Sequence, residues 1–146
     1  MDKKILFVCT GNTCRSPMAE YYFNYICAAG KTAASSCGLA AYPGNFMSAN
    51  AEKVLESHNI ADISHKSRQI NVDIIKEADI VYGITIHHEA RLKETFPEFA
   101  DKILCMPEDI GDPYGGSLEV YEKCFENIKK SVDIIIKNLT GENCGC

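Results

Sequence analysis

Cys9 and Arg15 bracket a run of five residues, Thr10-Gly11-Asn12-Thr13-Cys14, between the apolar stretch Ile5-Leu6-Phe7-Val8 and a Ser16-Pro17 pair. A cysteine leaving a strand, a tight turn and an arginine can build a cup of backbone N–H groups around a tetrahedral anion, with a sulfur nucleophile at its floor. Arg15 would close that cup, since a planar guanidinium can hold two phosphoryl oxygens at once. Thr10, Gly11, Asn12, Thr13, Cys14 and Ser16 complete the expected phosphate-binding set. An ordinary thiol is only about 3% thiolate at neutral pH. Amide donors, a helix N-terminus and a cation all favour the anion, so Cys9 is expected to rest as a thiolate, with the Ser16 hydroxyl donating to it. Asn12 suits a left-handed turn position, and Gly11 a positive φ or a close backbone approach. Pro17 suits the first position of the following helix.

A thiolate that accepts a phosphoryl group needs a proton for the leaving atom. Asp112, in Asp112-Pro113-Tyr114-Gly115-Gly116, is the candidate donor. The residue before a proline is held extended, so its carboxyl sits on a stiffened loop, and the two glycines allow a sharp turn beyond it. Asp109 is a competing carboxylate without a proline neighbour. Tyr114 is read as an aromatic wall at the entrance, or as packing beside the turn.

The segment Val8 to Glu20, together with Asp112 to Gly116, resembles the low-molecular-weight protein tyrosine phosphatase family. It is most similar to the bacterial branch that hydrolyses phosphoarginine in proteins. The resemblance covers essentially the whole chain. It implies a protein phosphatase working through a phosphocysteine, with Cys9 as nucleophile, Arg15 binding phosphate and Asp112 as general acid and base. No cofactor and no metal are implied, and phosphorylated proteins are the expected partners. Thr13 stands where tyrosine-directed relatives commonly carry an aliphatic residue, and Gly116 where they often place a second aromatic. Both features favour phosphoarginine, with phosphotyrosine the alternative. Cys37 in Ser36-Cys37-Gly38, and Gly83 and Ile84 in Tyr82-Gly83-Ile84-Thr85, depart from the family pattern. His65 and Ser67 match a family stretch, and His65 is expected to be a hydrogen-bonded structural group. Cys14 is a possible redox partner that could close a disulfide with Cys9.

Two other activities fit less well. Arsenate reductases of the thioredoxin-coupled type need a further cysteine pair after the third strand, and the stretch 79–102 has no cysteine. A cysteine phosphocarrier would have no use for a residue such as Asp112 that promotes attack by water.

The 146 residues are expected to form a single phosphatase domain over 1–140, with a frayed tail over 141–146. A net charge of −5 with no basic run argues against nucleic-acid binding. No apolar run approaches a membrane span, no signal peptide is evident, and a cytoplasmic monomer is expected. Of the eight cysteines, Cys27, Cys37, Cys105 and Cys124 read as core or near-core. Cys144 and Cys146 lie in the tail, without a second pair at zinc-site spacing.

The elements that must position the chemistry follow from hydrophobic periodicity. Lys4 to Cys9 reads as a central strand, followed by a helix from Pro17 to near Gly30 with Ala19, Tyr22, Phe23 and Ile26 on its buried stripe. A weaker strand covers Thr32 to Ser36. Ser48 caps a helix burying Ala51, Val54, Leu55 and His58. A short helix spans Asn71 to Ala78, a strand Asp79 to Thr85, a helix Thr85 to Phe96, and a strand Lys102 to Met106. His87 and His88 are expected to begin a surface helix and to carry no chemistry. Ser117 opens a final helix whose stripe is Leu118, Tyr121, Phe125, Ile128, Val132, Ile135 and Leu139. Alternating strands and helices imply an α/β fold with a parallel sheet and right-handed crossovers. The resemblance implies a three-layer sandwich, a four-stranded sheet in the order 2-1-3-4 with helices on both faces. In that order the Cys9 loop leaves the first strand where the topology reverses, the usual place for a ligand.

Overall fold

The structure, a computed structural model, describes residues 3–28 and 30–140; the tail expected over 141–146 lies outside the described residues. Its elements are β1 (Lys4–Cys9), α1 (Arg15–Ile26), β2 (Ala33–Gly38), α2 (Ala49–Ser57), α3 (Val72–Glu77), β3 (Ile80–Gly83), α4 (Ile86–Thr95), β4 (Ile103–Cys105) and α5 (Leu118–Thr140). The four strands form one sheet in the order β2-β1-β3-β4, every pair parallel, as the resemblance implied.

Burial on both faces explains the apolar run of β1. Ile5, Phe7 and Cys9 face a core shared with α1, α2 and α5, while Leu6 and Val8 face a second core under α3 and α4. The larger core holds the stripe of α5, in which Tyr121, Phe125, Ile128, Val132 and Ile135 are buried. Phe125 packs edge-on against Tyr22 of α1, with ring centroids 5.7 Å apart. No helix among the described residues is long and apolar enough to cross a membrane.

Register sets the position of the site. Cys9 pairs with Gly38, Val8 with Gly83, and Gly83 with Cys105, so the four strand ends come level at one rim of the sheet. The loop after each strand therefore emerges beside the others, and the Cys9 loop lies among them.

Several boundaries differ from expectation. Helix α1 begins at Arg15, so Pro17 is its third residue rather than its first. A proline is tolerated there because the first intrahelical bond is donated by Met18 N–H, to the Cys14 carbonyl at 3.1 Å. Strand β2 runs on to Gly38 because Cys37 and Gly38 pair with Val8 and Cys9. Ile26 and Leu118, assigned to buried stripes, are 39% and 48% exposed; each stands at the end of its helix. His58 is the C-cap residue of α2 and only partly buried.

Phe125 is fully buried at the meeting of α1, α2 and α5. Phe125→Ala is expected to lower unfolding stability by about 3–5 kcal/mol. Urea unfolding monitored by circular dichroism would measure it, and a loss below about 1 kcal/mol would mean the packing there is loose.

Candidate active site

Asn12 holds the Cys9 loop in shape. Its backbone is left-handed, with φ 58°, and its side chain is fully buried. The amide nitrogen donates to Ser16 Oγ and to Ser36 Oγ, both at 2.9 Å, and the amide oxygen accepts from Arg68 N–H at 2.9 Å. The Asn12 carbonyl accepts from His65 Nε2 at 2.7 Å.

These bonds set the direction of the hydrogen bonds around the sulfur. Ser16 Oγ already accepts from the Asn12 amide, so its own proton is available to Cys9 Sγ, 2.9 Å away. Asn12 N–H also donates to Cys9 Sγ, at 3.3 Å. The sulfur thus sits at the end of a strand and the start of a helix, facing donors. Neighbouring bonds hold the loop from outside: Ser48 N–H donates to the Thr13 carbonyl and Ala40 N–H to the Thr10 carbonyl, each at 2.9 Å. Ser36, having accepted from Asn12, donates to Glu20 Oε1 at 2.6 Å. Burial raises the Glu20 pKa, opposed by that bond and by the Arg68 charge.

The second half of the site arrives from the loop before α5. Arg15 is buried, donates from Nη1 to the Ile110 carbonyl at 3.1 Å, and brings Nη2 to 3.8 Å from Asp112 Oδ2. The Asp112 side chain is 61% exposed, and its Oδ1 accepts from Tyr114 N–H at 3.1 Å, which folds the acid loop over its own backbone. Gly116 N–H closes the turn onto the Pro113 carbonyl at 2.8 Å. A Cβ at position 116 would come within 2.8 Å of Val120 Cγ1 and 2.9 Å of that carbonyl, so this turn has no room for a side chain there.

Cys9, Thr10, Gly11, Asn12, Thr13, Cys14, Arg15, Asp112 and Tyr114 together line one open cavity of about 200 Å³. Larger depressions exist, about 280 Å³ at the opposite end of β1 and β2 and about 570 Å³ beside α3, but neither is lined by a cysteine or a histidine. Chemistry, not size, marks the site. Tyr114 is 79% exposed at the mouth, which suits a wall rather than packing.

Some expected roles change. Ser16 is fully buried beneath the loop with its Oγ at the sulfur, as expected of a donor to Cys9, but it is not among the residues lining the cavity and so does not join the phosphate-binding set. Gly11 has neither a positive φ nor a close neighbour: an added Cβ would meet only Thr13 Oγ1, at 3.8 Å. Cys14 is buried, with Sγ 3.3 Å from Tyr121 Oη and 3.4 Å from Ser48 Oγ. Burial pushes the thiols of Cys37 and Cys124 up to about 12, which leaves both unreactive. Asp109 is not among the residues lining the cavity. Outside the cavity, His58 Nε2 lies 2.6 Å from Glu122 Oε1, and with Glu126 the three offer ligand atoms within 4.8 Å of one another. Those groups are the ones among the described residues that could hold a metal ion, away from the Cys9 loop.

His88 is the residue that sequence reasoning missed. It is buried, not a surface residue, and its Nε2 lies 3.0 Å from Thr10 Oγ1. Its Nδ1 accepts from the N–H of Thr85, the N-cap of α4, at 3.2 Å, and Thr85 Oγ1 accepts in return from His88 N–H at 3.3 Å. Thr85 followed by His88 has the spacing of a capping box, a signal legible in sequence had histidine been allowed the third position. Gly83 makes the approach possible, since a Cβ there would lie 2.5 Å from Glu89 N. Burial, then the Arg15 and His87 charges, push the His88 pKa down to about 4 against the pull of Asp112. Burial likewise lowers that of His65, opposed by its bond to Asn12.

Comparison with known proteins settles the lineage. The family described as low molecular weight phosphotyrosine protein phosphatase matches residues 4–143. This chain belongs to that family. A protein-arginine-phosphatase of Geobacillus stearothermophilus is 35% identical, over 97% of this chain and 99% of its own. The low molecular weight protein-tyrosine-phosphatase Wzb of Salmonella typhi is 30% identical, over 90% of each chain. Among solved structures, a cysteine-to-serine mutant of YwlE arginine phosphatase with a phosphorylated active site serine superposes with a TM-score of 0.89. It is 29% identical, and 96% of this chain and 97% of that one are covered.

His88 resists a proton in the folded protein that the unfolded chain takes up near its ordinary value of 6.5. Stability contributed by this difference is present above pH 6.5 and is lost as pH falls towards 4. His88→Gln removes the titration, so the stability gap between wild type and variant is expected to narrow across that acid range. Parallel urea titrations would check it; a constant gap means that His88 protonates freely.

Proposed function

We propose that this protein hydrolyses phosphoarginine residues in proteins, using Cys9 as nucleophile, Arg15 as phosphate ligand and Asp112 as general acid and base, within one phosphatase domain over residues 1–140. The observation that carries the reading is the shared cavity. A sulfur held by Asn12 N–H and Ser16 Oγ faces the same open space as a buried arginine and an exposed carboxylate.

The reaction has two steps. Cys9 thiolate attacks phosphorus in line, the bond to the leaving nitrogen breaks, and Asp112 gives that nitrogen its proton. Asp112, now a carboxylate, takes a proton from water as the water attacks the phosphocysteine, releasing inorganic phosphate and the thiolate. Loop amides and the Arg15 guanidinium stabilise the equatorial oxygens, where charge gathers. The mechanism calls on no metal or organic cofactor.

Substrate choice rests on Thr13 and Gly116. The Thr13 hydroxyl lines the cavity and is held only loosely, 3.8 Å from Cys14 Sγ, which leaves it available to a guanidinium group. The tight turn at Gly116 excludes a second aromatic wall, so a phenyl ring would find Tyr114 alone on that side. The likeness to protein-arginine-phosphatases of Geobacillus stearothermophilus and Bacillus subtilis supports the same choice. Phosphotyrosine is the second reading, favoured by the likeness to Wzb.

Phosphate release from a phosphoarginine peptide, a phosphotyrosine peptide and p-nitrophenyl phosphate, compared in EDTA, tests the proposal. The phosphoarginine peptide is expected to turn over fastest; no release from any of the three would end the reading. Thr13→Ile should shift the relative rates roughly tenfold towards phosphotyrosine. Asp112→Asn should lower kcat on peptides about 10²- to 10³-fold while phosphate still accumulates on Cys9. Near-normal turnover of that variant would assign the acid elsewhere.

A further inference from the structure

We infer that His88 is a positioning residue that turns the Thr10 hydroxyl into a fixed hydrogen-bond donor to a phosphoryl oxygen in the cavity. The inference rests on the function proposed above and adds a fourth element to its site.

Hydrogen-bond polarity carries the argument. His88 Nδ1 faces two Thr85 groups, Oγ1 at 2.9 Å and the backbone N–H at 3.2 Å. The N–H can only donate, so Nδ1 bears no proton and accepts from the Thr85 hydroxyl as well. A neutral imidazole then carries its proton on Nε2, and that N–H points to Thr10 Oγ1 at 3.0 Å. Thr10 Oγ1 is thereby the acceptor, and its own proton remains to be offered elsewhere. Thr10 lines the cavity with Cys9, Arg15 and Asp112. Its backbone cannot swing away, because its carbonyl accepts from Ala40 N–H at 2.9 Å and the preceding Cys9 carbonyl from Leu39 N–H at 2.9 Å. Helix α4 thus enters the site through one side chain: the capping box that starts the helix also sets the tautomer of the ring that holds Thr10.

A donor locked in place before substrate arrives loses no entropy to orientation as charge moves onto the phosphoryl oxygens. Its loss should appear in kcat and not in KM. Two substitutions divide the two nitrogens of the ring. In His88→Asn the new amide oxygen would reach the place of Nδ1 and keep the cap, without the length to touch Thr10. In His88→Gln the longer side chain would bring its amide nitrogen to the place of Nε2 and keep the donor to Thr10.

The experiment measures p-nitrophenyl phosphate kinetics for wild type, His88→Asn, His88→Gln, Thr10→Val and the double variant His88→Asn/Thr10→Val. His88→Asn is expected to lower kcat roughly tenfold with KM within about twofold. His88→Gln should recover most of that loss, and the double variant should be no slower than Thr10→Val. An unchanged kcat in His88→Asn, a loss confined to KM, or losses that multiply in the double variant would overturn the inference. Vanadate, whose five-coordinate adduct on a thiolate has the shape of the transition state, supplies an arm independent of turnover, read by thermal shift. A wild type that binds vanadate more tightly than His88→Asn yet hydrolyses nothing would defeat the proposed function and leave the positioning role standing. Equal vanadate affinity in both would defeat the positioning role.

Discussion

A buried amide governs this structure. From within the Cys9 loop, the Asn12 side chain satisfies donors and acceptors on three other segments at once: α1 through Ser16, β2 through Ser36, and the chain before α3 through Arg68. Its left-handed backbone turns the loop. A polar group so fully enclosed is favourable only when every bond is made, and a fully satisfied buried network is stiff as well as stable. Rigidity there is what a nucleophile needs, because the sulfur takes its donors from the same network. Ser16 can face Cys9 as a donor only because Asn12 has already filled its acceptor role.

The two halves of the cavity differ in character. The Cys9 loop is clamped from every side, with His65, Ala40 and Ser48 bonding its carbonyls from three separate parts of the chain. The acid loop is lightly held. Asp112 is largely exposed, and its contact with Arg15 is a 3.8 Å approach of a kind worth little in water. Its shape comes from local chemistry: a proline after the aspartate, a side chain bonded to its own backbone, and a turn closed at Gly116. A rigid oxyanion cup beside a lightly tethered proton donor suits a reaction in which the same carboxyl gives and then takes a proton.

The parallel sheet brings these parts together. Level strand ends place the loops after β1, β2, β3 and β4 along one rim. Helix α4 starts close enough to that rim for His88 to reach Thr10, and α5 contributes Tyr121 to the Cys14 side of the loop. The contacts that matter thus cross between 7 and 107 positions of sequence.

Much was legible in the chain itself. The Cys9 to Arg15 spacing, the strand before it and the stripe of α5 follow from local periodicity and turn chemistry, which depend on neighbours a few residues apart. The proline after Asp112 belongs to the same class. The strand order came through family resemblance, since no hydrophobic pattern distinguishes which parallel strand neighbours which. Only the tertiary structure showed that Ser16, already expected to donate to the sulfur, is enclosed beneath the loop and away from the cavity lining, and that Gly11 has neither the positive φ nor the close approach expected of it. It alone raised His88 from an expected surface residue to a partner of Thr10, 78 positions away. The reason is physical: a hydrogen bond between distant side chains leaves no period in the sequence, and its direction depends on which other donors and acceptors have already been met.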